Sequence, residues 1–285
     1  MPLLKTQAIA LKSQRCGEAD RIVSYYTLQL GRVRGIARGA RRLKSRFGSA
    51  LEPFVHVDLT LLEKRRDTLY RISQADILDS FTELSEELAL ISAAARMVNL
   101  VTAVTAERDP APRIFATLLG GLRSLREGSD PSLTALLFQI QVLGHTGFRP
   151  QTDQCAACSQ SINLRSVRFS AISGGLVCVL CARTCSDRCL PISPGGVAFI
   201  QQARRLAFPK VTRLRATGQV RREVEAAIDT YVRIVVGKRL PLRIFWSQKD
   251  RPWSTSKKQR VKGKMQKTSS MTSSSFRLMR FALLR

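Results

Sequence analysis

Histidine, the side chain most often used for general acid–base catalysis, occurs only twice in this 285-residue chain, as His56 and His145. The sequence also lacks a phosphate-binding Walker loop and the Gly-x-Ser-x-Gly elbow of serine hydrolases. Carboxylate pairs such as Glu86 and Glu87 fall on a predicted solvent-facing helix surface. We interpret both histidines as structural, and these absences argue against an enzyme.

Acidic residues and long apolar runs are also scarce. The chain has 21 Asp and Glu against 47 Lys and Arg, for a formal net charge of +26. Such an excess predicts a polyanionic partner, either nucleic acid or an anionic membrane. No apolar run approaches the ~20 residues of a membrane-spanning helix, and residues 1–5 carry no signal-peptide segment. We therefore expect a cytoplasmic protein that binds nucleic acid rather than a membrane.

The length and the 44% apolar content allow two or three compact units. The composition changes at residue 247, after which eleven Lys and Arg accompany one acidic residue and many Ser and Thr. This pattern predicts a disordered basic tail over residues 247–285 that adds non-specific affinity for a polyanion. We expect two folded domains before it, at residues 1–79 and 80–246.

The first domain shows the pattern of short strands. Val55, Val57, Leu59 and Leu61 alternate with polar residues, as in a strand with one buried face. Similar runs predict five strands, at residues 6–11, 21–28, 32–37, 55–61 and 69–72. Leu30-Gly31 predicts a hairpin between the second and third of them, and residues 65–68 predict a turn between the fourth and fifth. Five short strands suit a small closed barrel, either an OB-fold that binds single strands or an SH3-like barrel.

A basic loop lies between the third and fourth predicted strands, at residues 38–48. From residue 32 to residue 50 the sequence has seven basic residues and no acidic one. Such a loop can neutralise phosphates and release their counterions. The candidate nucleic-acid contacts are Arg32, Arg34, Arg38, Arg41, Arg42, Lys44 and Arg46. Nearby aromatic rings can stack on bases or belong to the core, and we favour the core for Tyr25, Tyr26, Phe47 and Phe54.

The second domain is predicted to be mostly α-helical. Ser80 and Glu83 have the spacing of a capping box that opens a long helix. Asp130-Pro131 and Ser193-Pro194 each supply an N-cap followed by a first-turn proline. The predicted helices run from the capping box to about residue 101, then over residues 113–126, 133–143, 194–206 and 220–236.

Two Cys-x-x-Cys knuckles lie between these helices and are separated by nineteen residues. Four thiolates at this spacing predict a closed, structural Zn²⁺ site formed by Cys155, Cys158, Cys178 and Cys181. Because helices flank the knuckles, we expect a zinc ribbon inserted at about residues 150–191. The chain also carries Cys185 and Cys189, which leaves Cys178, Cys181, Cys185 and Cys189 as an alternative ligand set.

Several segments together resemble bacterial RecO. They are residues 35–42, 45–48 and 51–54, residues 147–150 leading into Cys155, and residues 174–178. The resemblance covers residues 3–245 and implies an OB-fold barrel, a helical domain and, where the cysteines are kept, a zinc site. It also implies a recombination mediator in DNA repair that binds single- and double-stranded DNA and anneals complementary strands. The implied partners are RecR, in many bacteria RecF, the acidic tail of single-strand binding protein (SSB), and RecA. These activities imply a nucleoid-associated protein.

Two other classes of protein also fit these features. A zinc-ribbon transcription or RNA-binding factor would use the basic regions to recognise sequence or RNA structure. A nucleic-acid-modifying enzyme with a structural ribbon would need a cofactor that the motifs do not reveal.

Overall fold

The structure, a computed structural model, describes residues 2–63 and 69–237. Five N-terminal strands pair in the order β1-β2-β3-β5-β4 and close into a barrel. They are β1 (Leu3–Cys16), β2 (Asp20–Thr27), β3 (Gly31–Ala37), β4 (His56–Leu62) and β5 (Tyr70–Asp79). Neighbouring strands are antiparallel, except that β3 and β5 are parallel. The predicted five-stranded OB-fold barrel is thus confirmed, with β1 and β5 longer than the sequence pattern predicts.

Strand β1 is buried on both faces. Ala8 and Ala10 pack in the barrel interior, whereas Ile9 and Leu11 belong to the core that the barrel shares with the helices. Successive side chains of a strand point to opposite faces, so a run of four buried residues requires cover on both sides. The barrel is therefore packed against the helical part along this strand.

The predicted hairpin between β2 and β3 is confirmed. Gly31 has a φ of +67°, and a Cβ at this position would lie 2.2 Å from the carbonyl oxygen of Asp109. Only glycine satisfies both constraints at once. The turn therefore brings the start of β3 against the loop that follows the first helix.

The capping box predicted at Ser80 is wrong. Phe81 takes a left-handed φ of +48°, a short 3-10 turn follows at Thr82–Ser85, and the helix begins only at Leu88. Tertiary contacts outweigh the capping-box pattern here. Phe81 is buried in the core, with 1% of its surface exposed, and the Arg126 guanidinium donates to both carboxylate oxygens of Asp79 at 2.7 Å. The chain is thus turned at Phe81 before a helix can start.

Six α-helices follow the barrel within the described residues. They are α1 (Leu88–Val104), α2 (Pro112–Arg126), α3 (Pro131–His145), α4 (Val179–Thr184), α5 (Pro194–Arg205) and α6 (Gly218–Val236). Helix α3 is central, because every residue from 133 to 143 is buried and α1, α2, α5 and α6 all contact it. The predicted caps are confirmed: Asp130 accepts from Leu133 N–H at 2.9 Å and Ser193 from Gly196 N–H at 3.2 Å.

Six of the seven cysteines lie in a small ribbon between α3 and α5, and Cys16 lies on β1. Its strands, β6 (Arg168–Ser170), β7 (Gly175–Val177) and β8 (Leu190–Pro191), pair in the order β7-β6-β8. Helix α3 precedes the ribbon in the chain and α5 follows it, and these two helices contact each other. Phe169 is fully buried and meets the ring of Tyr231 on α6 edge-on at 6.1 Å. We call residues 150–191 the cysteine ribbon.

The predicted division at residues 79 and 80 stays a prediction, since barrel and helices share one core. The predicted turn at residues 65–68 and the predicted basic tail at residues 247–285 lie outside the described residues.

Candidate nucleic-acid interface and metal centre

The basic loop is anchored at its base and open beyond it. Gly39 N–H donates to the Asp20 carboxylate at 2.8 Å, and Arg41 N–H donates to the Ala19 carbonyl at 2.9 Å. The Arg41 guanidinium adds a 2.7 Å bond to the carbonyl oxygen of Glu18. These bonds hold the loop against the β1–β2 turn, so its position relative to the barrel is defined.

Five of the seven predicted nucleic-acid contacts are exposed, and no acidic side chain in the described residues balances their charge. They are Arg34, Arg38, Arg42, Lys44 and Arg46. None of them forms an ion pair with any residue in the ranges 2–63 and 69–237. The acid that follows the loop, Glu52, is already paired with Arg21 at 2.6 Å. Their charge is therefore available to a partner.

The two remaining candidates are placed differently. Arg32 is half-buried where β3 meets the α1–α2 loop. Its carbonyl accepts from Arg108 N–H at 3.0 Å, and its buried Nε has no hydrogen-bond partner among the described residues. Arg41 is exposed, but its guanidinium holds the carbonyls of Gly17 and Glu18. All seven residues stay predictions as contacts. The geometry favours the five whose charged groups form no ion pair or hydrogen bond within residues 2–63 and 69–237, and among these the Arg46 guanidinium packs over the Phe47 ring at 5.0 Å.

The aromatic residues near the loop belong to the core. Tyr25 and Tyr26 are fully buried, and Phe47 and Phe54 are 3% and 7% exposed. Burial raises the pKa of Tyr25 far above its usual value and that of Tyr26 to about 12. These rings do not offer a face on which a base can stack.

Leu43 is a candidate that the sequence reasoning missed. It lies between Arg42 and Lys44 and is fully exposed, the most exposed large apolar side chain in the described ranges. Exposed apolar side chains in nucleic-acid binders can pack on unstacked bases. The available signal was an isolated leucine within a run of basic residues.

The two cysteine knuckles come together in the ribbon. One ligand atom from each of Cys155, Cys158, Cys178 and Cys181 lies within 4.8 Å of all the others. Ligands of a tetrahedral Zn²⁺ with bonds of about 2.3 Å are separated by roughly 3.8 Å, so four sulfurs this close fit such an ion. Ala156 N–H bonds to the Leu176 carbonyl at 2.7 Å and ties the first knuckle to β7.

Backbone amides are directed at the sulfurs, as expected for thiolates. Cys178 N–H donates to the Cys155 sulfur at 3.4 Å, and Cys181 N–H donates to the Cys178 sulfur at 3.5 Å. Desolvation raises the pKa of Cys155, but hydrogen bonds from the backbone amides of Cys178, Cys158 and Ala157 outweigh it, together with one from the Cys158 side chain, and lower the pKa to about 6. Hydrogen bonds to Cys178 and Cys158 raise the pKa of Cys181 to about 12. Cys155 thus loses its proton readily, whereas Cys181 resists ionisation. A bound cation would be needed to keep all four cysteines as thiolates.

Cys185 and Cys189 form a separate group with Asp187, again within 4.8 Å. The fold therefore groups Cys178 and Cys181 with the first knuckle and not with the later cysteines. The assignment of all these residues as ligands stays a prediction.

Comparison with known proteins identifies the family. A family model described as Recombination protein O N terminal matches residues 1–81, and one described as Recombination protein O C terminal matches residues 85–244. The chain belongs to the RecO family. A relative named DNA repair protein RecO from Roseiflexus sp. (strain RS-1) is 35% identical over 233 residues, which are 81% of each chain. The relative of the same name from Shouchella clausii (strain KSM-K16) is 32% identical over 249 residues, 87% of this chain and 96% of its own.

Membership in the RecO family confirms the resemblance and places the chain among DNA repair and recombination proteins. The two matched regions contain the barrel with its basic loop and the helices with the cysteine ribbon. Among the residues described, this chain has no helix with the length and apolarity to cross a membrane.

Neither histidine of this RecO-family chain belongs to the two groups of potential metal ligands found among the described residues. His56 is 4% exposed, contacts the Phe115 ring edge-on at 5.9 Å, and has no hydrogen-bond partner on either ring nitrogen in the described chain. Burial lowers the pKa of His56, and it also lowers the pKa of His145 at the end of α3. A histidine enclosed like His56 cannot reach a substrate, which fits the structural role that the sequence predicts.

Proposed function

We propose that this RecO-family chain is a recombination mediator that binds single- and double-stranded DNA and anneals complementary strands. In this proposal it acts with RecR and RecF to load RecA onto DNA coated by SSB, whose acidic tail it engages. Such a protein works in the cytoplasm, in association with the nucleoid, and catalyses no covalent reaction. The family assignment and the basic loop both support this proposal.

The observation that carries the proposal is the set of five exposed cations, on and beside an anchored loop, that form no ion pair with any residue the structure describes. A phosphate backbone repels a second strand, and Lys and Arg side chains lower that repulsion by replacing condensed counterions. Because the loop's base is bonded to the β1–β2 turn, the cations are presented together without a large ordering cost.

Annealing on this surface needs only binding and release. The cations hold one strand by its phosphates, which leaves its bases free to meet a complement. Leu43 adds an apolar contact for an unstacked base beside the phosphate contacts. Since the contacts are to phosphates, we expect little dependence on base sequence.

We propose Zn²⁺ as the ion of the four-cysteine group. Cys155, Cys158, Cys178 and Cys181 would hold it, and four thiolates leave no position for a reacting water. Bound Zn²⁺ would supply cross-linking between the two knuckles. The role of the residues is to hold the first knuckle against the junction of β7 and α4, in a segment with a very small core of its own.

The decisive experiment is strand annealing on SSB-coated single-stranded DNA. The variant Arg38→Ala/Arg42→Ala/Lys44→Ala/Arg46→Ala should lose most annealing. The slope of log affinity against log salt should become less steep by about 3, because each lost contact to single-stranded DNA removes about 0.7.

A matched control removes the same charge elsewhere. Arg205, Lys210, Arg215 and Arg222 are exposed cations of the helical part, and their fourfold change to Ala should leave most annealing intact. Equal losses in both variants would show that net charge alone, and not the basic loop, governs annealing. Strong preference for one base sequence or for RNA would instead favour a transcription or RNA-binding factor.

A further inference from the structure

Three potential ligands converge in the cysteine ribbon outside the four-cysteine group. They are Cys185, Asp187 and Cys189, whose ligand atoms all lie within 4.8 Å of one another. They occupy every second position of an irregular segment that leads from α4 into β8. Cys189 is buried at 8% exposure, and Cys185 is half-buried. A carboxylate and two sulfurs thus meet at a sheltered point.

The carboxylate of Asp187 is held in a fixed orientation. One oxygen accepts from the Ser170 hydroxyl at 2.8 Å, and the other accepts from Ala171 N–H at 2.9 Å and Ile172 N–H at 3.2 Å. A carboxylate has about four acceptor positions, so these three bonds leave one. Hydrogen bonds that orient a carboxylate in this way are typical of metal-ligating side chains.

The two cysteines are also positioned by contacts from β6 and the turn after it. The Arg168 guanidinium donates to the carbonyl of Cys189 at 3.3 Å, and the Ser173 hydroxyl lies 4.0 Å from the Cys185 sulfur. Asp187 forms no ion pair within the parts of the chain that the structure describes. The negative charge of this group is therefore not balanced by a salt bridge.

We propose that Cys185, Asp187 and Cys189 form a second metal site that takes a borderline-soft divalent ion such as Zn²⁺ and leaves a fourth position for water. Thiolate sulfur selects such ions over Mg²⁺ and Ca²⁺, and a carboxylate is accepted beside thiolates in tetrahedral sites. Three protein ligands distinguish this site from the closed four-cysteine group. The site does not depend on whether the protein anneals DNA.

The first test counts metal ions on the full chain. The protein is purified under reducing conditions, saturated with Zn²⁺, freed of excess metal by gel filtration, and analysed by elemental mass spectrometry. Two ions per chain are expected, and Cys185→Ser/Cys189→Ser should hold one. Cys16→Ser, which changes a cysteine on β1 outside both groups, should still hold two. One ion in the unchanged chain at saturation would overturn the proposal.

Cobalt identifies the ligands of the second ion. Co²⁺ bound by thiolates shows a sulfur-to-metal charge-transfer band, which adventitious binding to surface carboxylates does not. Titration with Co²⁺ should give this band in two steps, and the Cys185→Ser/Cys189→Ser variant should retain only the tighter one. If that variant shows both steps, these cysteines are not ligands and the proposal fails.

The carboxylate contacts give a finer test. Ser170→Ala removes one hydrogen bond that orients Asp187. The affinity for the second ion should fall roughly tenfold to a hundredfold, while the affinity for the first ion should not change. An unchanged second affinity would argue against Asp187 as a ligand.

Thiol counting tests the competing interpretation, in which Cys185 and Cys189 form a disulfide. After denaturation with a chelator and no reductant, all seven cysteines should react with a thiol reagent. Five reactive thiols, with the pair assigned by peptide mapping to Cys185 and Cys189, would replace the metal site with a disulfide.

Discussion

The basic loop and the cysteine ribbon hold their polar groups in opposite ways. In the loop, the main chain is bonded to the β1–β2 turn while Arg38, Arg42 and Lys44 extend into solvent. In the ribbon, Cys155 is 1% exposed and its sulfur accepts from the backbone of Cys178. The loop offers its groups to a partner, whereas the ribbon directs its groups toward one another. Changes in the two regions should therefore separate binding from stability.

The largest effect is expected in the ribbon. Cys155→Ser/Cys158→Ser removes two of the four sulfurs, so the chain should lose the ion of this group and its melting temperature should fall by roughly 10 °C or more. Metal content and calorimetry on the same sample measure both. DNA binding should persist at temperatures where the variant is folded. A folded variant without this ion that had lost all DNA binding would break the contrast between the two regions.

The second effect is expected at the junction of barrel and helices. Burial lowers the pKa of His56 in the folded state, so the unfolded chain takes up a proton that the folded chain excludes. The contribution of His56 to the free energy of unfolding is thus fully present above pH ~6.5, and it is lost as the pH falls below that value.

The variant His56→Leu cannot titrate at this position. Between pH 8 and pH 5.5 its melting temperature should therefore fall by roughly 3 °C less than that of the unchanged chain. Calorimetry at both pH values measures this difference. Identical pH profiles would show that His56 carries none of the acid sensitivity, whereas annealing at pH 8 should be the same in both proteins.

A smaller effect should distinguish two neighbouring arginines. Arg41→Ala loses the bonds to the Gly17 and Glu18 carbonyls, so it should destabilise the chain by about 1 kcal/mol. Arg42→Ala breaks no such bond and should leave stability unchanged, while making the salt slope of single-strand binding less steep by about 0.7. Denaturant unfolding and salt titration of binding provide the two measurements. If Arg41→Ala proved as stable as Arg42→Ala, the anchoring role of Arg41 would be wrong.

The smallest effect is expected for Leu43→Ala. Removal of an exposed apolar side chain should reduce annealing about threefold through lost contact with bases. The salt slope should not change, because no charge is removed. Annealing rates over a range of salt concentrations test this, with Leu3→Ala, another exposed leucine of the barrel, as the control. An equal loss of annealing in both variants would show that Leu43 has no specific role.

Signals carried by chain neighbours predicted much of this molecule. The alternation of Val55, Val57, Leu59 and Leu61 predicted β4, and Asp130 and Ser193 marked helix starts, because strands and caps depend on residues a few positions apart. The same reasoning failed at Ser80, where burial of Phe81 and the pairing of Asp79 with Arg126 prevent a capping box. Contacts across 47 residues of chain leave no local signal.

The sequence by itself determined which kinds of site the molecule has. An unbalanced basic run predicts a polyanion-binding loop and two cysteine knuckles predict a metal site, because the residues of each motif are close together in the chain. Only the tertiary structure decided which groups are available. It engages Arg41 with the β1–β2 turn and leaves Arg42 open, and it brings Asp187 and its two cysteines against the turn after β6. The reason is physical: exposure and ligand convergence depend on packing between segments distant in sequence, and no periodicity or spacing records that packing.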